Sequence, residues 1–407
     1  MKKRFLSAGL AVVMAASLTA CGGSGSASTT TAAAGEAKAE GESKAAESSA
    51  AADGASFKIG GIGPVTGGAA VYGLAVQHGA EIAVKEINEA GGINGYPVEF
   101  QFQDDEHDAE KSVNAYNTLK DWGMQALMGT VTSAPCIAVA DKTAADNMFQ
   151  ITPSGSAVEC AANPNVYRVC YSDPAQGTAS AKYIGEHKLA SKVAVIYDSS
   201  DVYSSGIYEK FAQEAPNQGI EVVDAEAFTA DSNKDFSTQL QKAKESGAEL
   251  VFLPIYYTEA SLILQQANTM DFAPQFFGCD GMDGILQVQN FDVKLAEGLM
   301  LLTPFAADAT DDLTVKFVKS FEDAYGETPI QFAADAYDAM YVIKAAMEEA
   351  NVTPDMAVGD ICDAMEGAMT KIKVDGLTGT NMTWTEDGEP EKDPKAVQVV
   401  DGAYKAM

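Results

Sequence analysis

Small hydroxyl residues follow two apolar runs of the chain, in a pattern that suits binding of an anion. The two runs, residues 125–130 and 148–152, are each predicted to be a buried strand. The hydroxyl side chains that follow them are Thr132, Ser133, Ser154 and Ser156. A helix is predicted to begin beside the first pair, and the unpaired N–H groups of its first turn add positive partial charge. This combination favours binding of a carboxylate or another small anion, and ordinary helix capping is the alternative.

A carboxylate and several aromatic side chains occupy equivalent places after other predicted strands. Asp280 follows the predicted strand 275–279. The aromatic residues in such places are Tyr72, Tyr203, Tyr256 and Tyr257. Ligands of open α/β sheets bind beyond the carboxyl ends of the strands, so two facing sheets would bring these groups into one cleft. With hydroxyls for an anion on one wall and Asp280 for a cation on the other, the sequence predicts a site for a zwitterion such as an α-amino acid. For each tyrosine taken alone, core or edge packing is the alternative.

Strands that alternate with helices must position these groups, and they predict an α/β fold with parallel sheets. In the first half the predicted strands are 57–62, 98–103, 125–130, 148–152 and 166–171, and in the second half they are 193–198, 220–224, 250–255, 275–279 and 298–304. Predicted helices between them include 109–121, 134–146, 206–218, 234–246 and 259–270. Toward the C-terminus, helices 311–325, 332–350 and 354–370 precede short strands at 381–384 and 396–400.

Composition narrows the class of protein. The chain has 407 residues, enough for two domains, and a formal net charge of −31. That charge disfavours nucleic acid and anionic lipid as partners and suits an extracytoplasmic monomer. Only three histidines are present, and no nucleophile elbow, P-loop or HExxH motif occurs, so neither catalysis, a metal nor a cofactor is expected.

Two motifs resemble known sites but have the wrong spacing. Gly61, Gly63 and Gly67 resemble the dinucleotide-binding fingerprint G-x-G-x-x-G, but the third glycine comes one residue too late. The acidic residue that should follow about 20 positions later, at the end of the next strand, is also too distant. The acidic run 104–108 lacks the ligand spacing of a calcium loop. We interpret this run as a solvated strand end rather than a cation site.

The N-terminal residues predict export and a lipid anchor. Residues 1–21 combine a basic start with a short apolar run, which is typical of a secretory signal. The run ends at Cys21 in a pattern that resembles a bacterial lipobox, so we expect lipidation of Cys21. Residues 22–55 contain no aromatic residue and are predicted to be a disordered tether. Five further cysteines without a CxxC spacing predict buried free thiols, although pairing of Cys160 with Cys170 stays open.

The order of these elements resembles the type I periplasmic binding proteins, specifically the branched-chain amino acid receptors of ABC importers. The resemblance covers nearly all of residues 57–404. Its clearest segments are IGGIGPVTGGAAVYG, AVKEINEAGGINGYPVEF, the TPS that ends the second run, YD with Tyr203, and FFGCDG. It implies two Rossmann-like lobes joined by three crossovers, with 57–173 plus 305–376 in one lobe and 174–304 plus 377–407 in the other. It also implies closure of the lobes around a ligand.

By position, the resemblance implies roles for individual residues. Ser133, Ser154 and Ser156, beside Thr132, would bind the ligand carboxylate, and Asp280 would bind its ammonium group. The side-chain pocket would be lined by Tyr72, Tyr203, Tyr256 or Tyr257, and Phe332. The chain departs from the family pattern in two ways: Asp280 stands where glutamate is typical, and His107 and Thr132 stand near the positions of an expected disulfide.

The function implied is that of a lipid-anchored binding protein that delivers an amino acid, branched-chain or otherwise aliphatic, to a membrane permease without catalysis. Two alternatives remain open from the sequence. The same fold could bind another small solute, such as an amide, urea or an aromatic acid, or it could serve as a sensory receptor ectodomain.

Overall fold

The computed structural model describes residues 54–392 and 394–407. These residues form two large β-sheets, a two-stranded ribbon and ten α-helices. The predicted leader (1–21), its Cys21 and nearly all of the predicted tether (22–55) lie outside the described residues.

The first sheet contains the hydroxyl-bearing strand ends. Its strands are β1 (Phe57–Gly63), β2 (Val98–Asp104), β3 (Ala126–Gly129), β4 (Phe149–Thr152) and β5 (Val166–Arg168). All pairs are parallel, in the spatial order β2-β1-β3-β4-β5. Every residue of β3 and β4 is buried, as expected for strands covered on both faces. Because β3 and β4 are neighbours, the loops that follow them meet at one edge of the sheet.

The second sheet repeats the parallel pattern and adds an antiparallel edge. The remaining strands are β6 (Lys192–Asp198), β7 (Glu221–Phe228), β8 (Leu250–Leu253), β9 (Gln275–Gly278), β10 (Met300–Thr303), β11 (Thr383–Trp384), β12 (Pro390–Glu391), β13 (Lys395–Val400) and β14 (Ala403–Ala406). The order in the sheet is β14-β13-β10-β9-β8-β6-β7, and β11 pairs with β12 in the separate ribbon. Strands β6 to β10 are parallel, whereas β13 and β14 are antiparallel to their neighbours.

Helices follow most of the strands. They are α1 (Ala70–Glu89), α2 (Ala109–Trp122), α3 (Ser133–Asp146), α4 (Asp173–Glu186), α5 (Val202–Glu214), α6 (Ser237–Glu245), α7 (Tyr257–Thr269), α8 (Asp312–Tyr325), α9 (Gln331–Glu349) and α10 (Val358–Met369). The chain passes to the second sheet after β5. It returns after β10 to α9 and α10, which pack on β4, and it re-enters the second sheet at β13. The predicted lobe boundaries stay a prediction.

A glycine allows two long helices from opposite ends of the sequence to meet. Helices α1 and α9 pack against each other, and a Cβ atom at Gly79 would lie 2.1 Å from the carbonyl oxygen of Ala333. That distance leaves no room for any side chain. The contact holds the start of α9, which carries Phe332, beside α1, which carries Tyr72.

The structure corrects several element predictions. Helix α5 begins at Val202 instead of residue 206, because Asp201 caps it by accepting a hydrogen bond from Tyr203 N. Strand β5 ends at Arg168 instead of residue 171, and β14 was not predicted. The cap of α3 is Thr132, and its side chain makes no capping hydrogen bond, so the capping alternative for the hydroxyls after β3 is wrong. All five cysteines within the described residues are free and buried, so Cys160 and Cys170 do not pair.

Candidate functional site

One cavity between the two sheets gathers nearly all of the predicted ligand-binding residues. Its lining consists of Tyr72, Val131, Thr132, Ser133, Ser154, Ser156, Tyr203, Tyr256, Asp280, Gly281 and Phe332. The hydroxyls come from the loops after β3 and β4, and Asp280 comes from the loop after β9. Groups separated by more than a hundred residues of sequence thus face one another.

Tyr257 lies outside this lining and supports it from behind. Its ring packs edge-on against Tyr72 with 4.7 Å between ring centroids. Its backbone N–H donates to the Tyr72 hydroxyl at 3.2 Å, and its own hydroxyl accepts from Val71 N at 3.3 Å. Of the two neighbouring tyrosines after β8, Tyr256 faces the cavity and Tyr257 positions Tyr72.

Asp280 is held by three donors. Its Oδ1 accepts hydrogen bonds from the Tyr203 hydroxyl at 2.8 Å and from Gly281 N at 2.7 Å. Its Oδ2 accepts from Gln176 Nε2 at 2.9 Å. Only 6% of Asp280 is exposed. The carboxylate is therefore fixed in position and kept from bulk water.

Burial sets the charge state of this carboxyl. Desolvation raises the pKa of Asp280 to about 6, although the hydrogen bonds from Tyr203, Gly281 and Gln176 favour the ionised form. Burial also raises the pKa of the neighbouring Asp173, which the charge of Asp280 raises further. At neutral pH Asp280 is thus a largely ionised, buried acceptor that a ligand cation would stabilise.

The glycine after Asp280 is required by close packing. A Cβ atom at Gly281 would lie 2.5 Å from the Tyr203 hydroxyl and 3.1 Å from the Ile255 carbonyl oxygen. A side chain there would displace the hydroxyl that binds Asp280.

Ser133 lies in the wall of the cavity opposite Asp280. Its Oγ accepts hydrogen bonds from Ser156 N at 3.2 Å and Ala157 N at 3.1 Å, so the loop after β4 is fastened to the start of α3. With its lone pairs used in this way, the Ser133 hydroxyl proton is available to a ligand oxygen. Ser133 is also the first residue of α3, where backbone N–H groups have no acceptor within the helix.

The other hydroxyls of this wall differ in what they can offer. Ser154 Oγ donates to the Val131 carbonyl at 2.7 Å, and Thr132 Oγ1 lies 2.8 Å from His107 Nδ1. The Ser156 Oγ is buried, and its hydrogen bond to the Asp173 carboxyl works against the rise that burial causes in the pKa of that acid. Ser133 is therefore the hydroxyl best placed to donate to an anion, while Ser154, Ser156 and Thr132 shape the wall.

Aromatic rings enclose the space between the two polar walls. Tyr72 stacks on Phe332 at 4.2 Å between centroids, and Tyr203 stacks on Tyr256 at 4.8 Å. Tyr72 and Tyr256 then meet edge-on at 5.7 Å. The rings form an apolar enclosure that suits a hydrocarbon side chain.

The two walls are closed on each other. The Tyr72 hydroxyl donates to the Gly281 carbonyl, and Thr258 Oγ1 donates to the Gly68 carbonyl at 2.9 Å. The cavity volume is about 10 Å³, roughly the space of one water molecule. Entry of an amino acid thus requires the sheets to separate, as in hinged domain closure.

The acidic run 104–108, at the end of β2, stabilises neighbouring loops and helix α2. Asp104 accepts hydrogen bonds from Val65 N at 3.0 Å and Thr66 Oγ1 at 2.6 Å, and Asp108 caps α2. Asp105 is 0% exposed, so the prediction of a solvated strand end is wrong for this residue. Burial raises the pKa of Asp105 to about 7. No cluster of three or more residues suited to hold a metal ion occurs within residues 54–392 and 394–407.

Sequence reasoning missed two residues that hold the site. Gln176 on α4 binds both the side chain and, at 3.3 Å, the backbone N–H of Asp280. Arg168 is 0% exposed and donates to the carbonyls of Ser156 at 2.6 Å and Ala157 at 3.0 Å. An arginine at the end of a buried strand is a sequence signal that could have found the second residue, whereas Gln176 resembles any other polar helix residue.

Comparison with known proteins identifies the family of this chain. A sequence profile of a family described as periplasmic binding protein matches residues 56–403. The chain is 32% identical over 305 residues to the Leu/Ile/Val-binding protein homolog 3 of Brucella melitensis, which covers 74% of this chain and 82% of that protein. It is 30% identical over 297 residues to the leucine-, isoleucine-, valine-, threonine-, and alanine-binding protein of Pseudomonas aeruginosa, with 72% and 79% covered.

A solved structure shows the same fold. The branched-chain amino acid transporter substrate binding protein LivJ from Streptococcus pneumoniae, in complex with isoleucine, matches with a TM-score of 0.77 and 26% identity. The match covers 86% of this chain and 99% of that one. In the described part of this chain, none of the helices has the length and apolar character needed to cross a membrane.

Proposed function

This chain belongs to the periplasmic binding protein family, and on that premise we propose that it binds a branched-chain α-amino acid between its two lobes. The bound amino acid is then delivered, chemically unchanged, to the membrane permease of an ABC importer. The relatives described above support this proposal, since two are named as binding proteins for leucine, isoleucine and valine and the third is a branched-chain amino acid transporter protein in complex with isoleucine.

The observation that carries the proposal is the pairing of opposite recognition groups across one cavity. The ammonium group of an amino acid would pair with Asp280, and the carboxylate would receive the hydroxyl proton of Ser133 and hydrogen bonds from the N–H groups at the start of α3. Such charge-assisted hydrogen bonds contribute roughly 1.5–3 kcal/mol each. A zwitterion satisfies both walls at once.

The same geometry disfavours the alternative solutes. An amide, urea or an aromatic acid carries no ammonium group, so its binding would leave Asp280 buried without a cation. An unpaired buried charge is strongly destabilising. The aromatic enclosure formed by Tyr72, Phe332, Tyr203 and Tyr256 favours an aliphatic side chain over a polar one.

The proposed place of action is outside the cytoplasmic membrane, without catalysis. Membership of a periplasmic binding protein family supports this location. We further propose that Cys21 is lipidated after removal of residues 1–20, so that a single monomer is tethered through residues 22–55. Replacement Cys21→Ser is expected to move the protein from the membrane fraction to the soluble extracytoplasmic fraction. A Cys21→Ser protein that stays in the membrane fraction as fully as wild type would contradict the anchor.

The decisive experiment for ligand binding is a thermal-shift screen of the twenty amino acids, several amides and urea. An aliphatic amino acid at a hundredfold excess over Kd would stabilise the folded state by about 2.7 kcal/mol, a shift of several degrees. Asp280→Ala should abolish the shift, whereas Asp141→Ala, an exposed charge on α3, should keep it. A shift that survives in Asp280→Ala would refute the ammonium assignment, and a shift with amides or urea alone would refute the amino acid.

A further inference from the structure

The ribbon of β11 and β12, together with its turn, packs against the end of β5, a strand from the first half of the chain. The backbone N–H of Arg168 donates to the Gly388 carbonyl at 3.0 Å. Trp384 Nε1 donates to the Arg168 carbonyl at 2.8 Å, across 216 positions of sequence. A Cβ atom at Gly388 would lie 2.5 Å from the Val166 carbonyl oxygen, so this close approach requires glycine. The ribbon therefore holds Arg168 through both its N–H and its carbonyl group.

The same turn places a carboxylate against the Arg168 side chain. Arg168 Nε lies 3.2 Å from Glu389 Oε1, and the side chains of Arg168 and Glu389 are 0% and 36% exposed. The other guanidinium nitrogens donate to backbone carbonyls, among them those of Ser156 and Ala157. A buried guanidinium group without a counter-charge is strongly destabilising. Glu389 supplies that charge, and its pairing with Nε orients the plane of the remaining donors.

The Glu389 carboxylate is itself held in place. It accepts a hydrogen bond from the hydroxyl of Ser172, the residue that precedes α4, and the Ser172 side chain makes no capping hydrogen bond to that helix. Burial raises the pKa of Glu389, whereas the charge of Arg168 and the hydrogen bond from Ser172 work in the opposite direction. Both partners thus favour the ionised form, which is the form that pairs with Arg168.

Arg168 connects this ion pair to the carboxylate wall, by which we mean Ser133 with the loop 154–157. Two N–H groups of that loop donate to Ser133 Oγ at 3.2 and 3.1 Å. The carbonyl groups of the same two residues accept from the Arg168 guanidinium group. A change in the guanidinium position would therefore move the loop and the Ser133 hydroxyl proton. Glu389 is not part of the cavity lining.

We propose that Glu389 is a positioning residue for ligand binding, which acts through Arg168 to keep the carboxylate wall in the shape that receives the ligand carboxylate. The inference rests on the proposed function, because it requires a ligand whose carboxylate lies at Ser133. Since Glu389 does not touch the ligand, its effect should appear at the carboxylate end of the bound ligand and not at the hydrocarbon end.

The test combines calorimetric titration of leucine with NMR of bound leucine labelled with carbon-13 at its carboxyl carbon. Both use the full chain at pH 8, where Asp280 is ionised. Glu389→Gln removes the charge and keeps the shape of the side chain. Glu389→Asp keeps the charge on a shorter side chain. Glu386→Gln changes an exposed carboxylate of the same turn and is the matched control.

Glu389→Gln should bind leucine about fivefold more weakly than wild type, which is the difference between a charge-assisted and a neutral hydrogen bond. It should also shift the resonance of the bound carboxyl carbon. Glu389→Asp should bind leucine more tightly than Glu389→Gln does, and Glu386→Gln should match wild type in both measurements.

Weaker binding by Glu389→Gln with an unchanged carboxyl resonance would show that Glu389 acts only through general stability, and would overturn the proposal. Unchanged affinity in Glu389→Gln, an equal effect of Glu386→Gln, or a Glu389→Asp protein that binds no better than Glu389→Gln would overturn it as well. All of these outcomes leave the proposed function standing, because wild type binds leucine in each. A wild-type protein that binds no leucine at millimolar concentration would instead overturn the proposed function and this inference with it.

Discussion

The Tyr203 hydroxyl donates a 2.8 Å hydrogen bond to Oδ1 of Asp280, and both residues are almost wholly buried. Tyr203 comes from the first turn of α5 and Asp280 from the loop after β9, so the bond joins two separate parts of the second sheet. The tyrosine thereby orients the carboxylate that we propose receives the ligand ammonium group.

Replacement Tyr203→Phe removes this donor and keeps the ring that stacks on Tyr256. Because a hydrogen bond to a charged group is worth about 1.5–3 kcal/mol, leucine affinity should fall about tenfold or more. Isothermal titration calorimetry measures the change. Tyr208→Phe on the same helix, where the ring stacks on Tyr197, should leave the affinity at the wild-type value. An equal effect of both substitutions would show that Tyr203 acts only through general packing.

Leucine affinity should depend on pH through Asp280. The pKa of this carboxyl is raised to about 6 by burial, and only the ionised form attracts an ammonium group. Affinity should therefore be constant above about pH 7 and fall below pH 6, by at most about tenfold per pH unit for one proton. Titrations between pH 5 and 8 test this dependence.

The nearby Asp201 needs its own control, because burial raises its pKa to about 6 as well. Asp201→Asn keeps a side chain able to cap α5, and its leucine affinity should retain the wild-type pH profile. A flat profile in this variant would assign the pH dependence to Asp201 instead.

The ligand-free protein should become more stable when Asp280 loses its charge. A carboxyl whose folded-state pKa lies above its unfolded value stabilises the fold when protonated, and this contribution is lost as pH rises through about 6. With the ordinary value at 3.8, the penalty at pH 8 is at most about 3 kcal/mol. Asp280→Asn should thus raise the free energy of unfolding by about 1–3 kcal/mol at pH 8, with little difference near pH 4.

Urea unfolding of the ligand-free proteins measures this difference, with Asp141→Asn as the exposed control that should change stability little at either pH. A destabilised Asp280→Asn protein at pH 8 would mean that the hydrogen bonds from Tyr203 and Gln176 outweigh the desolvation of the charge.

Arg168 should be needed for the carboxylate wall although it does not line the cavity. Its guanidinium group binds the carbonyls of Ser156 and Ala157, the two residues whose N–H groups donate to Ser133. A lysine ammonium group lacks the planar set of N–H donors that lets the guanidinium group bind both carbonyls at once. Arg168→Lys should therefore destabilise the protein by about 1–3 kcal/mol and also weaken leucine binding, as measured by urea unfolding and calorimetry. Retained affinity in a folded Arg168→Lys protein would show that the loop holds its shape without the arginine.

Agreement between sequence and structure is best where local pattern and burial coincide. The apolar runs that became β1, β3 and β4 lie in a sheet covered on both faces, so their composition alone indicates strands. The sequence does not place the start of α5, because Val202 to Ser205 follow the polar run 199–201 and their helical state depends on the Asp201 cap. The burial of Asp105 could not be predicted, since an acidic run usually faces solvent.

By itself the sequence determined the α/β alternation, the strand ends that carry hydroxyls, and the presence of one carboxylate and several tyrosines at matching places. These features follow from short-range periodicity, which can be detected from residues that are close together in the sequence. Only the tertiary structure decided that Tyr256 and not Tyr257 faces the cavity, that Gln176 and Tyr203 hold Asp280, and that Glu389 pairs with Arg168. Those outcomes depend on contacts between residues far apart in the sequence, such as Tyr72 and Tyr257, which are 185 positions apart. No local pattern shows which of many similar side chains the packing of two sheets will bring together.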